Sequence, residues 1–469
     1  MALLTALAPL GLAFLLILSG RASVANAGLA GAALALGLAA ADLGVVAALD
    51  AGAQGLWIGW LAISIIVAGL FFQKAALAAA PGVFTLDAGA DEDRRSRAFA
   101  AVFLLGVFVE SASGFGLGAI AAVAVLQGLG MDRLRAAALA LLSLALVPWG
   151  ALAIGTGIAA GLTGIPIVEI GVASAWLSIP VLGAALMLFW LWAPGGLRPL
   201  AMATELAWLA ALLGLLWAAN TLGAVEVAGV IAAGALFALR WALDRAHGRP
   251  TLTAAPFAGF AILIVALRLV PGLTPALGAP VMFQPWPALP AFSPLAHASF
   301  WLLLTGAGFA LAKGIGVAGV GRAAHDALRA AKTPTLVTAG YVILGAAMSA
   351  AGAPGVIAAA VSDAAGPAAA YASPVFAAVA GWLTGSNAAA HGMLVELQAE
   401  IGAAAGVDPL AAVATQNVVA SAFTMISPMR VALVAATVGL IGQETTITRR
   451  LTFFIVATLA VGWAAMALR

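Results

Sequence analysis

Residues 98–130 read AFAAVFLLGVFVESASGFGLGAIAAVAVLQGLG, two apolar arms joined by the polar, glycine-rich cluster Glu110-Ser111-Ala112-Ser113-Gly114-Phe115-Gly116. A helix that crosses the roughly 30 Å hydrocarbon core of a bilayer takes about 20 residues. Arms of about 13 to 15 residues reach only roughly 20 Å. The stretch therefore predicts a re-entrant hairpin that dips into a membrane and returns. Residues 371–400 repeat the design, with Thr384-Gly385-Ser386-Asn387 at the midpoint of a second apolar run.

The rest of the chain supports a lipid solvent. Of 469 residues, 64% are hydrophobic and 8% charged, where an ordinary soluble domain carries about a quarter charged residues. Apolar runs predict crossing helices near 2–19, 23–41, 55–73, 134–160, 173–193, 202–219, 223–239, 253–270, 298–313, 334–351, 409–442 and 451–468. The expected fold class is thus an all-α polytopic membrane protein with about 12 transmembrane helices plus two re-entrant hairpins. A net charge of +2 gives no reason to expect a nucleic-acid partner. The chain has no cysteine, which excludes a disulfide framework, thiolate chemistry and any Cys-based metal site. Near the N-terminus the first cation is Arg21, after the apolar run rather than before it, so a retained helix is expected instead of a signal peptide.

Lys and Arg concentrate in cytoplasmic loops of bacterial membrane proteins. With the N-terminus outside, Arg21, the segment 74–97, Arg133, Arg135, Arg198, the cluster Arg240/Arg245/Arg249, the loop 313–332, and Arg449/Arg450 all fall inside. The opposite connections near 50–54, 161–172, 271–297, 352–372 and 401–408 contain neither residue. The same assignment sends the first hairpin in from the cytoplasm and the second from outside, the layout of an inverted-repeat transporter. Locally, Gly130-Met131-Asp132-Arg133-Leu134 matches Gly406-Val407-Asp408-Pro409-Leu410, and each opens a long helix interrupted by proline, at Pro148 and Pro428. The expected domains are repeat 1 over 1–193 (hairpin 98–130, broken helix 134–160), a linking helix pair over 194–252, and repeat 2 over 253–469 (hairpin 371–400, broken helix 409–442). A multi-pass protein of the bacterial inner membrane is implied.

Backbone that leaves helical geometry at membrane depth must find polar partners, so such breaks usually line a cavity. Four occur: the two hairpin tips, Val147-Pro148-Trp149-Gly150, and Met425-Ile426-Ser427-Pro428. Ser111, Ser113, Gly114, Phe115, Gly116, Trp149, Thr384, Gly385, Ser386, Asn387 and Ser427 are the candidate lining residues, because Ser, Thr and Asn supply neutral donors and acceptors and freed helix amides suit an anion. Packed helices kinked by Gly and Pro are the other reading. Charged groups at this depth are costly. Arg430 either pairs with a substrate carboxylate through its planar fork or pairs internally. Glu110 is the candidate proton carrier, since burial favours the neutral carboxyl, unless hairpin amides hold its carboxylate. His391 either titrates or serves as a structural side chain. Asp42 and Arg268 lie near helix ends, and the run 91–97 reads as a solvated loop.

Gly314-Ile315-Gly316-Val317-Ala318-Gly319 matches GxGxxG, but it follows a membrane helix and no acidic residue stands about twenty positions on. No cofactor and no metal are expected, and without a paired nucleophile and base an enzyme is not expected either.

At these breaks the chain resembles the bacterial lactate permease family. Residues 108–116, FVESASGFG, look like its first signature, with a glutamate before small residues and Gly-Phe-Gly. Pro148-Trp149-Gly150-Ala151 is similar to its Pro-x-x-Phe-Gly-Ala segment, one residue shorter. Trp382-Leu383-Thr384-Gly385-Ser386-Asn387 and Met425-Ile426-Ser427-Pro428 sit at the family's spacing. The resemblance implies import of lactate or a related 2-hydroxy carboxylate by proton symport, an elevator-like alternating access, and a homodimer. Where family members carry aspartate and lysine, this chain has Asn387 and Thr424, and Arg430 stands where relatives are uncharged. A sulfonate, 2-oxo acid or dicarboxylate permease of the same fold is the alternative, and an anion channel a further one.

Overall fold

The computed structural model of the chain describes residues 2–79, 91–243 and 255–468. These residues are helical apart from connections and a lone antiparallel bridge between Phe283 and Phe292. Two 35-residue helices, Val45–Ala79 and Gly316–Ala350, are the longest and pack along each other and against Val24–Leu43. At 1.5 Å per residue each extends about 52 Å, so it tilts or projects beyond a hydrocarbon core.

The first helical hairpin joins Arg94–Ser113 to Leu117–Gly128. The second joins Ser373–Thr384 to Asn387–Ala404. Each is followed by an interrupted helix that opens with an aspartate cap. Asp132 accepts from Arg135 N at 3.2 Å and Asp408 from Leu410 N at 3.0 Å, so the two matched pentapeptides share one local device for satisfying a helix N-terminus. In the first interrupted helix, Arg133–Leu144 and Val147–Thr163 meet at 56°. Ala151, Leu152 and Ala153 there all have positive φ. The second interruption is gentler, and Pro409–Val438 runs through it as one 30-residue span. Pro428 opens Pro428–Val438 at a position where its missing N–H leaves no internal bond unmade.

The return arm of the second hairpin crosses Gly316–Ala350 backbone to backbone. A Cβ on Gly345 would stand 2.2 Å from the Gly392 carbonyl oxygen, and one on Gly392 2.8 Å from the Tyr341 carbonyl carbon. Such close approach is how helices associate where lipid offers no hydrophobic drive. One turn further, Ser349 Oγ donates to Glu396 at 2.6 Å.

The structure corrects the helix count. Among the described residues seven helices are long and apolar enough to cross a membrane, or nine if each bent pair is one crossing, against the twelve expected. The shortfall lies at 2–19, 223–239, 253–270 and 298–313. These are the helices Ala2–Leu18, Ala228–Leu243, Ala255–Leu269 and Ala298–Ala312, of 17, 16, 15 and 15 residues. Gly20, the 3-10 turn Val225–Val227, Pro271-Gly272 and Gly314 cut them short.

The first hairpin departs in the other direction. Its first arm, Arg94–Ser113, has 20 residues and is long enough to cross a membrane, because the run expected to be a solvated loop is the helix Asp91–Phe99. It continues inward through the π-helical segment Ala100–Leu105. Arg95 anchors this helix. It is buried and bonds Glu205 of Pro199–Thr221 at 2.7 and 2.9 Å, while Trp190 Nε1 donates to the same carboxylate at 2.8 Å. The connection 352–372 also holds a helix, Ala353–Ala365, packed on the second hairpin. Arg245, Arg249 and residues 253–254 lie outside the described residues.

Removing one partner of a buried ion pair costs about 3–5 kcal/mol, because the other charge stays buried alone. Glu205→Gln is accordingly expected to lower the thermal unfolding midpoint of the purified protein in detergent. An unchanged midpoint would show that Arg95 finds another partner or water.

Candidate functional site

The tip of the first hairpin turns through three consecutive residues of positive φ: Gly114 (72°), Phe115 (60°) and Gly116 (81°). Glycine takes this conformation at no steric cost, while Phe115 carries roughly 1–2 kcal/mol of strain. The turn folds the start of Leu117–Gly128 back over Glu110. Its carboxylate accepts from Gly116 N at 3.1 and 3.3 Å and from Gly118 N at 3.2 Å. The freed amides of a helix N-terminus, which favour an anion, are thus occupied by the chain's own glutamate.

Arg430 reaches the same carboxylate from the far half of the chain. Ser427 caps the helix Pro428–Val438 by accepting from Arg430 N at 3.4 Å. The Arg430 side chain then donates through Nη1 to Glu110 Oε1 at 3.1 Å and through Nε to the Gly385 carbonyl at 3.3 Å. Both charged side chains are buried, at 8% and 3% exposure. One ion pair therefore joins the first hairpin tip, the second hairpin tip and the second helix interruption. The residues that sequence offers as proton carrier and anion partner are partners of each other, and internal pairing describes both in this structure.

A second polar cluster lies beyond the second tip. Asn417 is its hub, fully buried. Its Nδ2 donates to Thr156 Oγ1 at 3.1 Å and Ser174 Oγ at 2.9 Å, and its Oδ1 accepts from Asn387 Nδ2 at 2.8 Å and meets His391 Nε2 at 3.0 Å. Thr156 Oγ1 in turn donates to the Pro148 carbonyl at 2.7 Å, an oxygen freed by the first interruption. This network assigns the His391 proton to Nε2. Two buried acceptors then lack a hydrogen bond, Asn387 Oδ1 and His391 Nδ1. An unmet buried polar group costs about 1–3 kcal/mol, so both atoms call for a donor.

The side chains of the other candidates make their contacts outside these two clusters. Trp149 is fully buried and spends its indole N–H on Asn220 Oδ1 at 3.1 Å. Ser111 packs under Gly229, and Ser113 Oγ bonds back to the Val109 carbonyl. Phe115 packs against the apolar cluster that includes Ile66, Leu70 and Phe71. Thr384 bonds to Ala380 O and Ser386 O, and Ser386 caps Asn387–Ala404 by accepting from Ala389 N. Thr424 Oγ1 donates to Ser421 O. Sequence reasoning missed Asn417, Thr156, Ser174 and Glu396. Thr415-Gln416-Asn417, a polar triplet inside an apolar helix, was the available signal for the first of them.

A family model described as L-lactate permease matches residues 2–243 and 285–468, nearly the whole chain. No curated protein matches. Among solved structures, MtrF of Neisseria gonorrhoeae, described with a class of antimetabolite efflux pumps, aligns over 90% of this chain and 84% of its own at 14% identity. Its TM-score is 0.38, too loose a likeness to bear on fold or function.

Proposed function

The chain belongs to the L-lactate permease family and is a multi-pass membrane transporter of the lactate type, not an enzyme; from this premise we propose proton-coupled import of lactate or a related small 2-hydroxy carboxylate.

The observation that carries the reading is the buried contact between Arg430 and Glu110. A lone charge in such a site costs several kcal/mol, so the guanidinium always needs one negative partner. In the empty carrier Glu110 is that partner. When Glu110 takes a proton, its claim on Arg430 lapses and a substrate carboxylate replaces it. Both states are neutral, whereas carboxylate without proton, or proton without carboxylate, leaves one charge unmatched. Coupling of one proton to one anion follows from this exchange. The hydroxyl of a 2-hydroxy acid supplies the donor that Asn387 Oδ1 lacks, two residues from the Gly385 carbonyl that holds Arg430.

The wider reading keeps the sides argued from the basic loops, with the N-terminus outside and the protein in a bacterial inner membrane. The halves 1–193 and 253–469 act as inverted repeats, and their hairpins and interrupted helices move together in an elevator-like step. His391, bonded to the Asn417 hub, positions Asn387 rather than carrying the proton.

The test is uptake of radiolabelled L-lactate into proteoliposomes, with and without an inward proton gradient, in competition with sulfonates, 2-oxo acids and dicarboxylates. Gradient-driven uptake competed chiefly by 2-hydroxy acids is expected. Gradient-driven uptake competed best by another anion class would reassign the substrate, and uptake indifferent to the gradient would overturn the coupling.

A further inference from the structure

A cavity of about 450 Å³ lies between the turn Val225–Val227, the end of Ala255–Leu269 and the connection 271–297. That volume falls in the range of small-molecule sites, which combine apolar walls with a few convergent polar groups. Glu226, Arg268, Thr274, Met282, Ser293 and His297 give it that character.

Arg268 is the central group. Its side chain is 16% exposed and bonds Glu226 through Nη2, while Glu226 is 38% exposed and reaches water. Nε and Nη1 of Arg268 make no hydrogen bond among the described residues. Glu226 takes one of the two Nη2 hydrogens, so of the fork's two edges, Nε–Nη2 and Nη1–Nη2, one keeps both of its donors on a residue that lines the cavity, and such an edge fits a carboxylate. Ser293 Oγ also makes no hydrogen bond among the described residues. His297 Nδ1 is taken by Ser299, through its hydroxyl at 2.8 Å and its backbone N–H at 3.4 Å, which leaves Nε2 as the ring's donor. Burial holds this imidazole down to about 4 against the pull of Glu226, so at neutral pH it adds a donor and no charge. Thr274 Oγ1 is spent on the Leu267 carbonyl.

We propose that this cavity is a binding site for a small aliphatic monocarboxylate, held by the free edge of Arg268 and the Ser293 hydroxyl with its apolar body against Met282. The ion-paired Glu226 restricts the ligand to a single negative charge, since a dianion would meet a carboxylate on the same guanidinium. Arg268, Thr274 and Met282 lie in the stretch 244–284 that the family model leaves unmatched. The site is thus built in part by a segment outside the family's common frame. It is distinct from the Arg430 cluster, yet close to the transport machinery: the turn bearing Glu226 leads to Gly229, which packs on Ser111 and Trp149. Only its placement at the outer mouth, as a capture site, rests on the orientation argued above.

The absence of cysteine from the chain makes Ser293→Cys a unique reporter. Its rate of modification is compared for an anionic sulfonatoethyl and a cationic trimethylammonioethyl methanethiosulfonate, with and without L-lactate or propionate. The anionic reagent is expected to react about tenfold faster, as for one desolvated charge contact, and either carboxylate to slow it severalfold. Glu226→Gln with Arg268→Gln, which removes both charges together, should abolish the preference and the protection. Equal rates, no reaction with either reagent, protection that survives the double substitution, or better protection by a zwitterion such as glycine than by propionate would each overturn the site. Arg430→Ala added to the reporter separates the two readings. Protection that persists there while lactate uptake is absent from every variant would sink the transport reading and leave the cavity standing.

Discussion

Arg430→Ala is expected to raise the dissociation constant for lactate about 30-fold or more, since truncating one member of a buried, hydrogen-bonded charge pair costs about 2–5 kcal/mol. Arg430 is the cation between the two hairpin tips, and its loss leaves a substrate carboxylate with only helix amides. The Gly385 carbonyl, which now accepts from Arg430 Nε, loses its partner in the same step. Arg430→Lys should recover part of the affinity, because an ammonium keeps the charge but not the fork that spans Glu110 and Gly385. Equilibrium binding of radiolabelled lactate to the purified protein checks both, with thermal stability followed in parallel to score folding. A dissociation constant unmoved by Arg430→Ala would place the anion elsewhere.

Glu110→Gln is expected to separate exchange from net transport. Glutamine resembles the protonated side chain, so Arg430 stays available to a carboxylate and lactate-for-lactate counterflow continues. Net uptake requires the empty carrier to reorient, and in this variant the empty state holds an unmatched guanidinium at a cost of several kcal/mol. Proton-driven accumulation should fall by about 100-fold, on the order of 2.7 kcal/mol, while counterflow falls far less. Full accumulation driven by a proton gradient after the substitution would remove Glu110 from the coupling.

Much of this architecture is legible in the sequence because lipid imposes few solutions. A glycine-rich polar break inside an apolar run has no other reading at membrane depth than a turn or a kink, and both turns lie where Gly114 and Gly385 place them. Helix length is less legible. Whether a run ends at Gly20 or continues depends on tertiary contacts, and the charged run 91–97 became a helix because Glu205, more than a hundred residues away, waits for Arg95. The site is half legible. Arg430 and Glu110 stand out as charges in an apolar context, but only three-dimensional proximity reveals that they neutralise each other. Asn417 carries no charge, and its role comes from being where Thr156, Ser174, Asn387 and His391 converge.

The crossing of Gly345 and Gly392 has a mechanical consequence. Helices that interlock through side-chain ridges must unmesh before one can travel along the other, and each ridge lifted from its groove is a barrier. Here two bare backbones meet, and the nearest side-chain hydrogen bond, from Ser349 to Glu396, lies a turn away. The contact is a detent rather than a bearing: a Cβ at Gly345 would stand 2.2 Å from the Gly392 carbonyl oxygen, so any shift that brings another residue opposite that oxygen must first lift the arm off the long helix. The two glycines therefore fix the register of the hairpin arm on the long helix.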